Sequence, residues 1–326
     1  MESSNYIMLS GSGRSGTNIT KKILNQHSGV YSMPFEYRFI IDPGGIIDFY
    51  NSFSASWSPY NADRKIRDLE SFLLNLSKRK IGETIFAKII AIVNKDGRKI
   101  SPAKYHAWEL DKWIPNYSKY VKELIESLVE FSYSAAWPGM DNYRTNYSLY
   151  FSKQMQKTEL APLLRRFILS CFGDLLQQNG KTHFVEDNTW NYLFAKEFSE
   201  ILPKAKLIHI RRNPRDVIAS IMKQRWCPSD IEQASIYYKS LMEHWMLVSK
   251  DIPINNIYEC KFETLIENTE EELRKICEFV GLSFEKSVLE VDLGKANIGR
   301  WKEDMSPEEI EIVRRVLGDL VGRLGY

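Results

Sequence analysis

The apolar positions change their period along the chain. Near the N-terminus "YIML" (Tyr6 to Leu9) is an unbroken apolar run, and the glycine-rich stretch "SGSGRSG" separates it from "TNITKKIL", which has helical spacing. A short continuous apolar run bounded by a turn signal reads as a strand buried on both faces. Strand, glycine turn and helix are therefore expected in that order. "KLIHIR" (Lys206 to Arg211) is a second such run, between helical patterns at Trp190 to Leu202 and Pro214 to Trp226. Strands alternating with helices predict a parallel sheet covered on both faces. "IYECKF" around Tyr258 predicts another strand, followed by a helix over Glu263 to Val280. Further on, Ser306, Pro307 and Glu309 have the spacing of an N-cap, a first helical residue and a capping box.

The middle of the chain is patterned differently. Ile66, Leu69, Phe72, Leu73 and Leu76 fall on one helical face, and Leu160, Leu163, Leu164, Phe167, Ile168, Cys171 and Leu175 fall on another. Between them, the segment from Lys104 to Phe151 carries seven of the 17 tyrosines and three of the eight tryptophans. Such enrichment fits either a packed core or the lining of a pocket. The expected organisation is one domain over residues 1–326. Its α/β core spans residues 1–50 and 180–326, and a largely helical, aromatic-rich insertion spans residues 51–179.

Composition narrows the classes of function. A chain of 326 residues, 44% hydrophobic and 26% charged, has the make-up of a globular protein with its own core. The net charge is +2 and the longest basic run is Lys78 to Lys80, so no nucleic-acid partner is expected. Cys171, Cys227, Cys260 and Cys277 form no metal-ligand spacing and are expected as reduced thiols. No apolar run approaches the roughly 18 residues of a membrane span, and "MESSNYIML" has no leader pattern. No transmembrane segment and a cytoplasmic location are expected. The four glycosylation sequons, at Asn18, Asn75, Asn116 and Asn146, then carry no weight.

The candidate chemistry begins in the glycine turn. Gly11 and Gly16 have the spacing of the two Walker A glycines, but Thr17 and Asn18 stand where a nucleotide triphosphatase needs Lys and Ser or Thr. A glycine-rich turn opening a helix is an anion site, because its N–H groups converge and the helix dipole favours negative charge. Ser12, Gly13, Arg14, Ser15, Gly16, Thr17 and Asn18 are the candidate ligands, with Arg14 offering a planar fork to two oxygens. The second stretch is "HIRRNPRDVIASIMKQRW". A strand ends there, Arg212 follows it, Asn213 caps a helix, and Ser220 lies about two turns into that helix. A cation and a hydroxyl so spaced suit one phosphate over a helix N-terminus.

Together the two stretches resemble the PAPS-dependent sulfotransferase family, PAPS being 3′-phosphoadenosine-5′-phosphosulfate. Arg14-Ser15-Gly16-Thr17 is similar to the family's 5′-phosphosulfate loop. Arg212, Asp216 and Ser220 are similar to its 3′-phosphate motif, R-x-x-x-D-x-x-x-S. "LPKAKLIHIRRNPRDV" and "KFETLIENTEEELRKICEFVGL" resemble two further family segments. "KANIGRWKEDMSPEE" resembles the C-terminal segment that folds over the nucleotide, where Lys295 and Arg300 are candidates for the 3′-phosphate. The match covers roughly residues 5–45 and 183–326. It implies a P-loop NTPase-like parallel sheet flanked by helices. It also implies sulfuryl transfer from PAPS, with 3′,5′-ADP as product, to a hydroxyl on a small molecule or a glycan. No metal is implied, because a sulfuryl donor needs no phosphate-bound magnesium.

The acceptor hydroxyl must lose a proton. Of the five histidines, His27, His106, His183, His209 and His244, none stands where the cytosolic branch of the family has its base; Trp190 does. His209 reads as packed within a strand. Glu36, in "SMPFEYRFIID", matches the glutamate that the carbohydrate and tyrosylprotein branches carry shortly after the loop helix, with Arg14 and Arg38 opposing a burial-raised pKa. One departure stands out. Where those branches have a lysine directed at the phosphosulfate, this chain has Asp187, and Thr189 replaces their proline. Arg14 alone, Lys88 or a C-terminal lysine are the stand-ins. Two rival functions are an ATP-dependent P-loop phosphotransferase and a non-catalytic nucleotide-binding protein. Against the first stand Thr17-Asn18 and the expectation of no Walker B aspartate at a strand end. Asp187 points toward the second.

Overall fold

The computed structural model describes residues 2, 5–37, 39–78, 108–136, 147–294 and 296–326. Among them are seven strands, β1 (Tyr6–Ser10), β2 (Val30–Ser32), β3 (Phe131–Ala135), β4 (Tyr147–Phe151), β5 (His183–Asp187), β6 (Lys206–Arg211) and β7 (Ile257–Lys261). The chain divides into two compact units, residues 2–36 with 179–326 and residues 37–178.

The first unit is built on a parallel sheet in the order β2-β5-β1-β6-β7. All five residues of β1 are buried, which is why its sequence is apolar without alternation. Helices flank the sheet, as expected of a P-loop NTPase-like α/β fold. On one side Ile7, Leu9, Ile208 and Ile210 pack with Ile23 and Leu24 of the loop helix (Thr17–Leu24) and with Leu273 and Ile276 of the helix Thr269–Val280. Connections run from β1 outward to β2 on one side and, later, to β6 and β7 on the other. The order therefore reverses at β1, and in such sheets ligands bind beyond the carboxyl ends of the strands at the reversal. The loop from Gly11 to Gly16 leaves β1 at that point.

Several boundaries differ from expectation for physical reasons. The helix that starts at Pro214 ends at Ile221, and the expected helix from Glu263 to Val280 is two, Phe262–Glu267 and Thr269–Val280. Asn268 breaks it with non-helical dihedrals, φ −124 and ψ 48. The pattern at Trp190 to Leu202 becomes a 3₁₀ turn, Asn191–Phe194, and a helix, Ala195–Ile201. β2 and β5 had no clean signal. β2 is three residues long, and β5 ends in two carboxylates, Glu186 and Asp187, which are nonetheless buried. The Tyr6 hydroxyl donates to Glu186. The capping box at Ser306 and Glu309 is present in full.

His209 is packed within β6, as its sequence setting suggested. It stacks on Trp245 with ring centroids 4.0 Å apart and meets Ser10 Oγ through Nδ1 at 3.1 Å. Burial, helped by the nearby Arg211, pushes its pKa down to about 3. It is thus neutral in the folded protein, while the unfolded chain takes up a proton near pH 6.5. Its stabilising contribution is complete above that pH and is lost as pH falls toward 3, by about 1.4 kcal/mol per unit. Between pH 7 and pH 5 urea unfolding should lose about 2 kcal/mol to this group. The variant His209→Asn should show a correspondingly flatter pH dependence.

The second unit carries most of the aromatic segment. Phe39 meets Tyr117, Phe167 and Phe172 with centroids 5.9 to 6.2 Å apart, and Tyr37 lies 5.0 Å from Phe172. These contacts carry residues 37–50 into this unit, so its boundary falls at residue 37 and not at 51. The helices Pro59–Asn75 and Tyr117–Leu128 supply leucine and isoleucine faces around that cluster. The unit also contains an antiparallel hairpin, β3–β4, where Phe131 stacks on Phe151 at 4.7 Å.

Candidate functional site

The loop after β1 is shaped by left-handed backbone. Gly13 (φ 71), Arg14 (φ 59) and Gly16 (φ 111) all have positive φ. A non-glycine residue in that region costs about 1 to 3 kcal/mol and marks functional sites. At Gly16 a second constraint acts, because a Cβ would lie 2.2 Å from the ring of Phe262. The loop helix begins at Thr17 with no side-chain cap on its N-terminus, so its first N–H groups face the loop. Ser12, Ser15 and Thr17 are buried, whereas Arg14 and Asn18 are exposed. Ser15 Oγ is buried without a hydrogen-bond partner.

The second motif lies at the end of β6, the neighbour of β1. Asn213 caps the helix Pro214–Ile221, its side chain accepting from Arg215 N at 3.0 Å. Arg212 Nη1 donates to the carbonyl of Arg14 at 3.1 Å, and Arg14 Nε donates to Ser220 Oγ at 2.9 Å. Residues nearly two hundred positions apart in sequence thus meet side by side. Burial lowers the Arg212 pKa, and Arg14 adds to that against the pull of Asp216 and Glu263. The two positive charges oppose one another, and an anion bound beside them would relieve that opposition.

Asp216 has a different job from its motif partners. Its carboxylate accepts from Gly299 N at 2.8 Å and Trp301 N at 3.0 Å, so it fastens the C-terminal segment to the motif helix. Arg212 Nη2 donates to Asn297 O at 2.7 Å in the same segment. Arg300 is not drawn in with these groups. It is exposed and pairs with Asp304 at 2.9 Å. Lys295 lies outside the described residues, as do Arg38, Lys88 and His106.

Glu36 is half-buried and accepts from Thr189 Oγ1 at 3.2 Å. Thr189 also touches the loop, its methyl lying 3.2 Å from where a Gly13 Cβ would stand. The Glu36 carboxylate is therefore linked through one residue to the Gly13 turn. Trp190, at the family's histidine position, packs edge-on against Trp226 at 5.9 Å and against Tyr237 at 6.4 Å. Of the other histidines, His27 bonds Ser283 O at 2.7 Å, His183 bonds Thr182 at 2.8 Å, and His244 bonds Leu193 O at 3.0 Å.

Asp187 corrects an expectation. It is the last residue of β5, paired in register with Leu9 of β1, so an aspartate does stand at a strand end beside the glycine loop. It is 5% exposed, it lies 3.4 Å from Lys21 Nζ, and it accepts a hydrogen bond from Thr17. Burial raises its pKa, and Lys21 and Thr17 work against that rise. Lys21 was not singled out from the sequence. Its position one helical turn after Thr17, on the same face, was the available signal. Phe262 was also missed as a site residue, although it supports Gly16 and lies 5.2 Å beneath the Arg212 guanidinium. Among the described residues no three His, Cys, Asp or Glu side chains group as metal ligands would, and no helix is long and apolar enough to cross a membrane.

The model of the Sulfotransferase family matches residues 101–286, more than half of the chain and including Arg212, Asp216 and Ser220. The chain belongs to the sulfotransferase family. Human Sulfotransferase 2A1 is 30% identical over 128 residues, which is 34% of this chain and 43% of the human protein. An uncharacterized protein of Aquifex aeolicus is 32% identical over 101 residues, 28% of this chain and 13% of that protein. The chain thus spans less than half the length of these curated relatives. Among solved structures, the sulfotransferase domain of the Synechococcus PCC 7002 olefin synthase is 14% identical. It covers 95% of this chain and 93% of that one, at a TM-score of 0.48.

Proposed function

We propose that this sulfotransferase-family chain takes PAPS as donor and moves its sulfuryl group to a hydroxyl on a small molecule or a glycan, in the cytoplasm and without a metal. The acceptor oxygen forms a bond to sulfur while the bond from sulfur to the 5′-phosphate oxygen breaks. The hydroxyl proton passes to Glu36, and 3′,5′-ADP leaves. Arg14 and the loop N–H groups face the 5′-phosphosulfate. Arg212 and Ser220 hold the 3′-phosphate, with Lys295 and Arg300 as the candidates from the C-terminal segment.

The observation that carries this reading is the meeting of Arg14 with Arg212, which precedes the helix Pro214–Ile221, and with Ser220, near that helix's far end, beside the N-terminus of the loop helix. Two guanidiniums, a hydroxyl and the uncapped N-terminus of the loop helix make up a seat for a phosphorylated donor. Asp187 gives the ATP-dependent rival one specific argument, since it stands where a Walker B aspartate would. Lys21 already occupies that carboxylate, however, and Thr17-Asn18 replace the Walker lysine and metal-holding hydroxyl.

The test is nucleotide binding. The parent protein should bind 3′,5′-ADP far more tightly than 5′-AMP in isothermal titration. Arg212→Ala and Ser220→Ala should each lose about 1.5 to 3 kcal/mol for 3′,5′-ADP and little for 5′-AMP. Equal affinities for the two nucleotides, or tight binding of magnesium-ATP instead, would overturn the donor assignment.

A further inference from the structure

The pair of Lys21 and Asp187 is absorbed by none of the roles above. We infer that Lys21 is a ligand of the donor's 5′-phosphate, held in place by Asp187, so that a protein ammonium stands where P-loop phosphotransferases hold a divalent cation. The inference rests on the donor reading just given.

Asp187 ends the strand beside β1, the place from which a Walker B aspartate reaches toward the metal of a nucleotide triphosphate. Here its carboxylate is engaged by two groups of the loop helix, the hydroxyl of Thr17 at the helix start and the ammonium of Lys21 one turn on. The ammonium is thereby tied to the same carboxylate as the first residue of the anion-binding N-terminus. Lys21 Nζ also donates to Met33 O at 3.5 Å, in the segment that leads to Glu36. An ammonium has three N–H groups. One donates to Met33 O while the charge pairs with Asp187, which leaves N–H groups that a phosphate oxygen would accept.

Charge accounting favours the same assignment. A carboxylate 5% exposed is costly unless paired, and its partner is also largely covered, with a side chain 15% exposed. A buried pair with a purely structural role is commonly replaceable by apolar side chains at little cost. A pair that presents a cation to a ligand is not. In the transfer, negative charge grows on the oxygen linking sulfur to the 5′-phosphate. A cation beside that phosphate stabilises the departing group in a site with no other charge at the family's lysine position than Asp187 itself. Asp187 is then a positioning residue, and its presence where the family has lysine ceases to be anomalous.

The deciding experiment is a ³¹P NMR titration of 3′,5′-ADP bound to the full chain, because the two phosphates give separate resonances. In the parent protein Lys21 should hold the pKa of the bound 5′-phosphate down. Lys21→Met should raise that pKa by about one unit or more and leave the 3′-phosphate unmoved. Affinity for 3′,5′-ADP should fall about tenfold to a hundredfold, and Lys21→Arg should recover most of both effects. Since Lys21→Met leaves Asp187 alone in a buried place, Lys21→Met/Asp187→Asn serves as the folding control and should show the same 5′-phosphate shift. If both variants titrate like the parent at the 5′-phosphate, Lys21 is structural and the inference falls while the donor reading stands. If the parent shows no bound resonances at all, the donor reading falls and this one with it.

Discussion

Glu36→Gln should slow sulfuryl transfer by about 10²- to 10⁴-fold while the fold and the affinity for 3′,5′-ADP stay as they are. Glutamine is the informative substitution because of what Glu36 touches. Thr189 Oγ1 donates to Glu36 Oε1, and a glutamine carbonyl oxygen in the same place accepts that bond equally well. The link from residue 36 through Thr189 to the Gly13 turn is therefore preserved, while the capacity to take a proton is removed. A carboxylate that merely anchors Thr189 predicts the opposite outcome, near-normal turnover in Glu36→Gln. The measurement is steady-state turnover of PAPS with whichever hydroxyl acceptor a screen returns, beside titration calorimetry with 3′,5′-ADP. Near-normal rates in a variant that still binds 3′,5′-ADP would remove Glu36 from the chemistry.

Much of the core was legible because β1 and β6 are buried on both faces and write that fact as unbroken apolar runs. β5 was not, because its last two residues are carboxylates whose burial depends on partners remote in sequence, Tyr6 for Glu186 and Lys21 for Asp187. Pattern reading assigns such residues to the surface, and only the fold supplies what neutralises them. The same limit explains the Walker B question. An aspartate counts as a strand end only once the strand is known, and Asp187 followed a run too short and too polar to announce one. The helix break at Asn268 and the early end of the helix at Ile221 are local choices that a helical period cannot register.

The site divides along a similar line. Motif spacing singled out Arg14, Arg212 and Ser220, and those three meet in the structure. Asp216 entered only as part of the motif match, and the structure gives it a task of its own, binding backbone N–H groups of the C-terminal segment. A motif reports that a residue matters without saying what it touches. Arg300 is a second case. It lies within a recognisable segment, and its guanidinium pairs with Asp304 of the short helix Trp301–Asp304.

Arg14 gives the sharpest test of the loop, because its backbone and its side chain make separate predictions. With φ at 59 it occupies a conformation that costs a non-glycine residue about 1 to 3 kcal/mol, a strain the fold retains. Arg14→Gly removes the strain together with the guanidinium. The variant should unfold at a higher urea concentration than the parent, by roughly 1 kcal/mol in stability, while its turnover falls about 10²- to 10³-fold. Its affinity for 3′,5′-ADP should change less than its rate, because Arg212 and Ser220 remain and the sulfuryl group, absent from that product, is what Arg14 is proposed to face. Arg14→Ala separates the two effects, for it loses the guanidinium and keeps the strained backbone, so it should match the glycine variant in rate but not in stability. A loss confined to 3′,5′-ADP affinity, with turnover at saturating donor unchanged in both variants, would make Arg14 a ground-state anchor beside Ser220 and take it out of the transfer step.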